Sequence, residues 1–253
     1  MTVTELYKKF CEYLPESLRC EWDNDGIMVC PDSNAEVKKV LLSLDVTEEI
    51  VDYAIECGFD LIISHHPLIF RPLSNVTEDN HISRKVVKLI ANAISVFSFH
   101  TRADRANGGV NDRLAETIGL TKTESFGEDG LGRIGTLSEE YELETFANAV
   151  KLALGADMIK VSDGYNPVKR VAVVGGDGKD FVKAALEMGA DTYVSGRLSY
   201  NVMAEAAEMG INLIEAGHYF TEQPITEYFS ELIAKFDPDV YVEIANSNMI
   251  RSI

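Results

Sequence analysis

The residues whose types and spacing together could do metal chemistry fall in three short stretches. Of the five histidines, His65, His66, His100 and His218 each follow an apolar run that reads as a strand, whereas His81, in NVTEDNHIS, reads as a solvated loop residue. A lone strand-end histidine is more often a packed or capping side chain than a ligand, so only the combination is informative.

In SHHPLIF, Pro67 biases His66 toward extended geometry, and successive extended side chains point to opposite sides. Two such imidazoles do not easily chelate one ion. They suit two ions approached from either side, or one ion and a supporting partner, with oxygen ligands from other strand ends. In GHYFTEQ a strand gives way to a helix, which puts His218 and Glu222, four apart, on one helical face. In HTRADRANGGVND, His100 and Asp104 precede a glycine pair that opens a helix at about Val110. The mixed imidazole and carboxylate set, with no thiolate, suits Zn, Mn, Fe, Ni or Mg.

The elements that must position these groups are those of an α/β chain. The runs VLLSLDV, DLIISHH, AISVFSFH, RVAVVGG, DTYVSG and INLIEAG look like strands buried on both faces, and amphipathic segments at Thr47–Gly58, Ser83–Ala93 and Tyr200–Gly210 lie between them. Alternation of this kind predicts parallel or mixed sheets covered by helices, with ligands at the carboxyl ends of the strands. Glycine and charge replace apolar periodicity over Thr121–Gly135, which places a lobe boundary there: an N-terminal lobe over 1–124 and a C-terminal lobe over 125–253, with exchange of segments between the lobes left open. VVGGDGKD fits neither phosphate-loop pattern and reads as a tight strand-to-helix turn. Trp22, the only tryptophan, reads as a core anchor in preference to a substrate-stacking ring.

Composition narrows the function classes. The 253 residues are 46% hydrophobic and 25% charged, an ordinary globular balance. Lys plus Arg number 23 and Asp plus Glu 41, so the net charge is 23 − 41 = −18, which repels phosphate backbones and disfavours direct nucleic-acid reading. No stretch approaches the ~18 apolar residues of a membrane span, and the opening segment lacks a signal-peptide core, so the cytoplasm is the expected compartment. Cys11, Cys20, Cys30 and Cys57 form no CxxC pair and read as reduced, mostly buried thiols.

The stretches EWDNDGIMV, LLSLDVT, SHHPLIF, HTRADRANGGVNDRLAETIGL, VAVVGGDG and GHYFTEQ, in that order and almost end to end, resemble the Nif-three-like dinuclear-metal-centre proteins, also called GTP cyclohydrolase 1 type 2 homologues. The resemblance implies two α/β lobes with the metals in the cleft between them. It implies that His65 and His66 each bind a different divalent ion, that Asp104 and His218 complete the separate shells, and that Glu222 bridges both. It also implies a toroidal homohexamer with the metal sites facing an internal cavity. The chain departs from the family pattern in HTRAD, where HTNLD is usual, and at Arg197, where an acidic residue is usual after Gly196.

Two metals about 3.5 to 4 Å apart would lower the pKa of a shared water from about 15.7 toward about 7, which makes hydrolysis by a metal-bound hydroxide the expected reaction, of cyclohydrolase or phosphoesterase type. Glu222 is the expected catalytic bridge, and His100 or Asp45 would position a proton or an imidazole. Arg102, Arg105 and Arg71 would form a positive patch at the cleft mouth for a small anionic substrate; the alternative is that they pair with carboxylates such as Asp112 or Glu116. The rival function is a noncatalytic metal carrier or assembly scaffold.

Overall fold

The computed structural model describes residues 1–127 and 130–251. Two compact units divide the chain. One comprises Met1–Ala106 and Ile225–Met249, the other Asn107–Pro224 with the tail from Ile250.

The first unit runs α1 (Val3–Tyr13), β1 (Gly26–Val29), β2 (Lys39–Ser43), α2 (Glu48–Glu56), β3 (Leu61–Ser64), α3 (His81–Ala91), β4 (Ser95–Ser98) and α4 (Thr101–Arg105). Its sheet has the order β1-β4-β3-β2, extended by a strand described below. β2, β3 and β4 run parallel and are almost wholly buried, which is why their sequences read as unbroken apolar runs. β1 closes one edge antiparallel to β4. Thr47 caps α2 by accepting a hydrogen bond from the Ile50 amide, and Thr2 with Glu5 forms a capping box on α1.

The second unit runs α5 (Val110–Thr117), β5 (Thr121–Phe126), β6 (Gly132–Tyr141), α6 (Leu143–Leu154), β7 (Lys160–Ser162), β8 (Val168–Asp177), α7 (Val182–Glu187), β9 (Thr192–Arg197), α8 (Tyr200–Met209), β10 (Asn212–Glu215) and α9 (His218–Glu222). Its sheet has the order β5-β6-β8-β9-β10-β7. β8, β9 and β10 are parallel, and antiparallel β6 and β7 flank them. One apolar cluster packs Leu114, Phe146 and Val150 against Val171, Val173 and Ile214, and a second gathers Ile134, Val174, Tyr193 and Leu213 with Val182 and Ala206.

The chain then returns to the first unit through α10 (Ile225–Phe236) and β11 (Tyr241–Ile244). β11 adds to the open edge of β2 in parallel register, and Phe229 and Phe236 of α10 pack on Phe10 of α1. The expected boundary at 124/125 therefore needs correction. That position lies inside β5, which is hydrogen-bonded to β6, and a cut there would break a hairpin. The division falls at 106/107, with α10 and β11 belonging to the first unit.

Four smaller expectations are settled here. His81 is the exposed first residue of α3. VVGGDGKD does form a strand-to-helix turn, with β8 leading through one 3-10 turn into α7. The thiols are free but are not mostly buried, since Cys57 is exposed and the others are partly so. Among the described residues no helix is long and apolar enough to cross a membrane.

Candidate metal centre

The histidine pair of the first unit sits where β3 runs out, and the ladder continues past the last strand residue to hold it. The His66 amide donates to the Leu44 carbonyl at 2.9 Å, the Phe99 amide to the Ser64 carbonyl at 2.9 Å, and the Ser64 hydroxyl to the His66 carbonyl at 2.8 Å. The ends of β2, β3 and β4 thereby bring His65, His66 and His100 together, with ligand atoms within 4.8 Å of one another.

Each of these rings has its Nδ1 engaged. That of His65 donates to the Phe99 carbonyl at 2.9 Å, that of His66 meets Asp45 Oδ1 at 2.8 Å, and that of His100 meets Asp23 Oδ1 at 2.9 Å. An acceptor on Nδ1 fixes the tautomer and presents Nε2 for coordination, the arrangement metal-ligating histidines adopt. The Asp45 amide in turn donates to the Ser247 hydroxyl at 3.0 Å, which holds the backbone of the residue that orients His66.

His65 supplies the sharpest test of whether these residues suit a cation. Its side chain is fully buried, and its Nε2 lies 3.5 Å from Asp104 Oδ1. A carbonyl can only accept, so Nδ1 carries the proton, and in the neutral ring Nε2 turns a lone pair toward a carboxylate. In that tautomer a cation between the two atoms would be attracted to both the lone pair and the carboxylate. The donor set is nitrogen and oxygen with no sulfur, as hard to borderline divalent ions prefer. The residues therefore fit a metal.

In the second unit His218 and Glu222 open and close α9, and His218 Nε2 lies 2.9 Å from Glu222 Oε2, as their spacing on one helical face predicts. Glu222 is buried. The helix is seated on the ends of β8 and β9 by the Thr221 hydroxyl, which accepts from the Gly176 amide at 3.1 Å. Glycine is required on both strands. Gly176 has φ +64°, and a side chain there would strike the Glu222 carboxylate; a Cβ on Gly196 would lie 2.7 Å from the Gly176 carbonyl oxygen and 2.8 Å from His218 Cα. These glycines make room for the helix that carries His218 and Glu222.

Arg102 corrects an expectation. It is fully buried and does not line a cleft mouth. Its Nε and Nη2 grip Asp25 Oδ2 and Oδ1, both at 2.9 Å, its Nη1 donates to the Leu14 carbonyl at 3.0 Å and its Nη2 to the Tyr7 hydroxyl at 3.2 Å. It does pair with a carboxylate, but with Asp25; Asp112 is taken by Arg133. Arg105 is partly buried and donates to the Leu18 carbonyl at 3.2 Å, and Arg71 and Arg197 are exposed.

Asp23 and Asp25 were not singled out from sequence, although both lie in WDND. Alternation in that turn was the available signal, since residues two apart share a side. Asp23 accepts from the Thr101 amide at 3.1 Å and hydroxyl at 2.6 Å as well as from His100. Burial pushes the Asp23 carboxyl up, but the hydrogen bonds from His100 and Thr101 outweigh it and hold the carboxyl well below the usual carboxylate range. For His100, burial works against the charged form, yet the hydrogen bond to Asp23 and the charges of Asp104 and Asp23 raise its pKa above the ordinary value.

Comparison with known proteins agrees with this description. The sequence profile of Duf34/NIF3 (NGG1p interacting factor 3) matches residues 1–252. A GTP cyclohydrolase 1 type 2 homolog of Clostridium perfringens is 35% identical over 248 residues, 95% of this chain and 94% of that protein. Among solved structures, a Staphylococcus aureus hypothetical protein superposes with a TM-score of 0.90 at 26% identity, covering 100% of this chain and 99% of that one. The Bacillus cereus protein related to NIF3 superposes with a TM-score of 0.87, also at 26% identity and with the same coverage. The chain belongs to the Duf34/NIF3 (NGG1p interacting factor 3) family.

Proposed function

We propose that the chain is a metal-dependent hydrolase whose dinuclear divalent-metal centre is held by the residues that the family resemblance implies, His65, His66, Asp104, His218 and Glu222. The observation that carries this reading is the buried His65 Nε2 facing the Asp104 carboxylate at 3.5 Å, beside two further imidazoles with engaged Nδ1 atoms. The cyclohydrolase name borne by relatives such as that of Clostridium perfringens points to the same reaction class.

Divalent ions bound there supply Lewis-acid polarisation and a water acidified toward neutral pH. The chain's residues then have distinct tasks. His65 and His66 offer Nε2 in a tautomer set by Phe99 and Asp45. Asp104 and Glu222 supply the negative charge that keeps two cations close. His100, tied to Asp23, holds a proton beside the imidazole cluster.

The experiment is a hydrolysis panel of nucleotides, phosphodiesters and cyclic amides, run on protein with defined metal content. Turnover that requires metal and falls at least about 100-fold in Glu222→Gln, with the fold retained by circular dichroism, is the expected result. Tight metal binding with no turnover across the panel would instead assign the chain to metal carriage or scaffolding. The ring of six copies implied by resemblance belongs to the same proposal, and a solution mass far from six times 28.0 kDa would remove it.

A further inference from the structure

Trp22 does not anchor the core. It is 66% exposed, although an indole is among the side chains that gain most from burial, and Phe70 beside it is 41% exposed. The ring centroids of Trp22, Phe70 and His100 form a nearly equilateral triangle: 6.3 Å from Trp22 to Phe70, 6.1 Å from Trp22 to His100 and 6.2 Å from Phe70 to His100. The interplanar angles are 67°, 77° and 89°, so each pair meets edge to face. The inner corner of the triangle is His100, whose ring centre lies 5.2 Å from that of His65 and 5.7 Å from that of His66.

The exposure is not that of a loosely tethered segment. Asp23, next to Trp22, is buried under bonds from His100 and Thr101, and the Cys20 amide donates to the Thr101 hydroxyl at 2.9 Å. The Asn24 side-chain amide donates to the carbonyl of Ile69, the neighbour of Phe70. Side-chain hydrogen bonds thus fasten the backbone under both rings, and the apolar surface is held out beside the imidazole cluster.

We propose that Trp22 and Phe70 form a stacking platform for a planar heteroaromatic ring of the substrate, placed against the His65, His66 and His100 cluster. The inference rests on the reading of that cluster as part of a metal centre. Flat π-faces accept flat rings with little regard to their substituents, which suits a platform that sets position while neighbouring polar groups do the chemistry. Scaling the ~150–250 Å² of an aromatic side chain by the two exposures leaves roughly 200 Å², far below the ~800 Å² per partner of a stable protein interface. The area of the two rings matches one bicyclic ring.

Because Trp22 is the only tryptophan, its fluorescence reads the platform directly. Metal-loaded, full-length protein would be titrated with guanosine and adenosine, with ribose as the non-aromatic control, while metal per chain is measured on the same sample. Saturable quenching by a nucleoside and none by ribose is expected, with about tenfold weaker binding in Phe70→Ala at unchanged metal content. Bound metal without nucleoside-specific quenching overturns the platform and leaves the metal reading standing. Failure of the wild type to hold metal overturns the reading beneath it. Shielding of Trp22 from iodide on self-association, with no nucleoside effect, assigns the rings to a contact between copies and also overturns the platform.

Discussion

Asp25→Ala is expected to lower the free energy of unfolding by about 3–5 kcal/mol, a large share of the ~5–15 kcal/mol that a domain commonly has. The reason is what it leaves behind. Arg102 and Asp25 are both fully buried, and the guanidinium grips the carboxylate through two parallel bonds of 2.9 Å. Arginine cannot shed its proton at any ordinary pH, so removing the carboxylate strands a buried cation that the Leu14 carbonyl and the Tyr7 hydroxyl satisfy only in part. Replacing both partners with apolar residues, Arg102→Met with Asp25→Leu, is expected to recover much of the loss. Urea unfolding of the two single variants and the double variant measures this, and a cost below about 1 kcal/mol for Asp25→Ala would contradict the clamp. Its importance to the site is positional, because Arg102 ties α4, which carries Asp104, to α1 and to the turn before β1.

His65→Ala is the second change expected to have a large effect, and its effect is on metal. Loss of a supporting partner such as Asp45 typically weakens metal binding by about 10–100-fold, so removal of an imidazole ligand is expected to cost at least about 100-fold. Wild-type protein with free metal at about 100 times its Kd should gain about 2.7 kcal/mol over the chelated protein, and that increment should fall to about 0.4 kcal/mol or less in His65→Ala. Asp45→Ala should fall between the two, since it frees His66 to rotate without deleting a ligand. Thermal melts with and without chelator provide the readout. An equal metal increment in wild type and His65→Ala would remove His65 from the centre.

What the sequence made legible follows from which interactions are local. β2, β3, β4, β8, β9 and β10 were readable because parallel strands covered on both faces are apolar throughout, and the histidines stand out at their ends. The His218 and Glu222 pair was readable because four residues of helix bring two side chains to one face. The course of α10 and β11 was not. ITEYFSELIAKF announces a helix, but nothing in its periodicity tells that it leaves one sheet to rejoin another. Arg102 was misread because its partner lies 77 residues away, and a positive residue in an acidic chain invites a surface role. Trp22 was misread because the average tryptophan is buried, whereas this one is held out by the anchoring of Asp23 and Asn24, the two residues that follow it.

Metal stoichiometry by native mass spectrometry, paired with elemental analysis, bears most directly on the whole account. Two divalent ions per chain in the wild type are predicted, with at most one in His65→Ala and in Glu222→Gln. Protein that carries no divalent ion, or that keeps two in both variants, would contradict it.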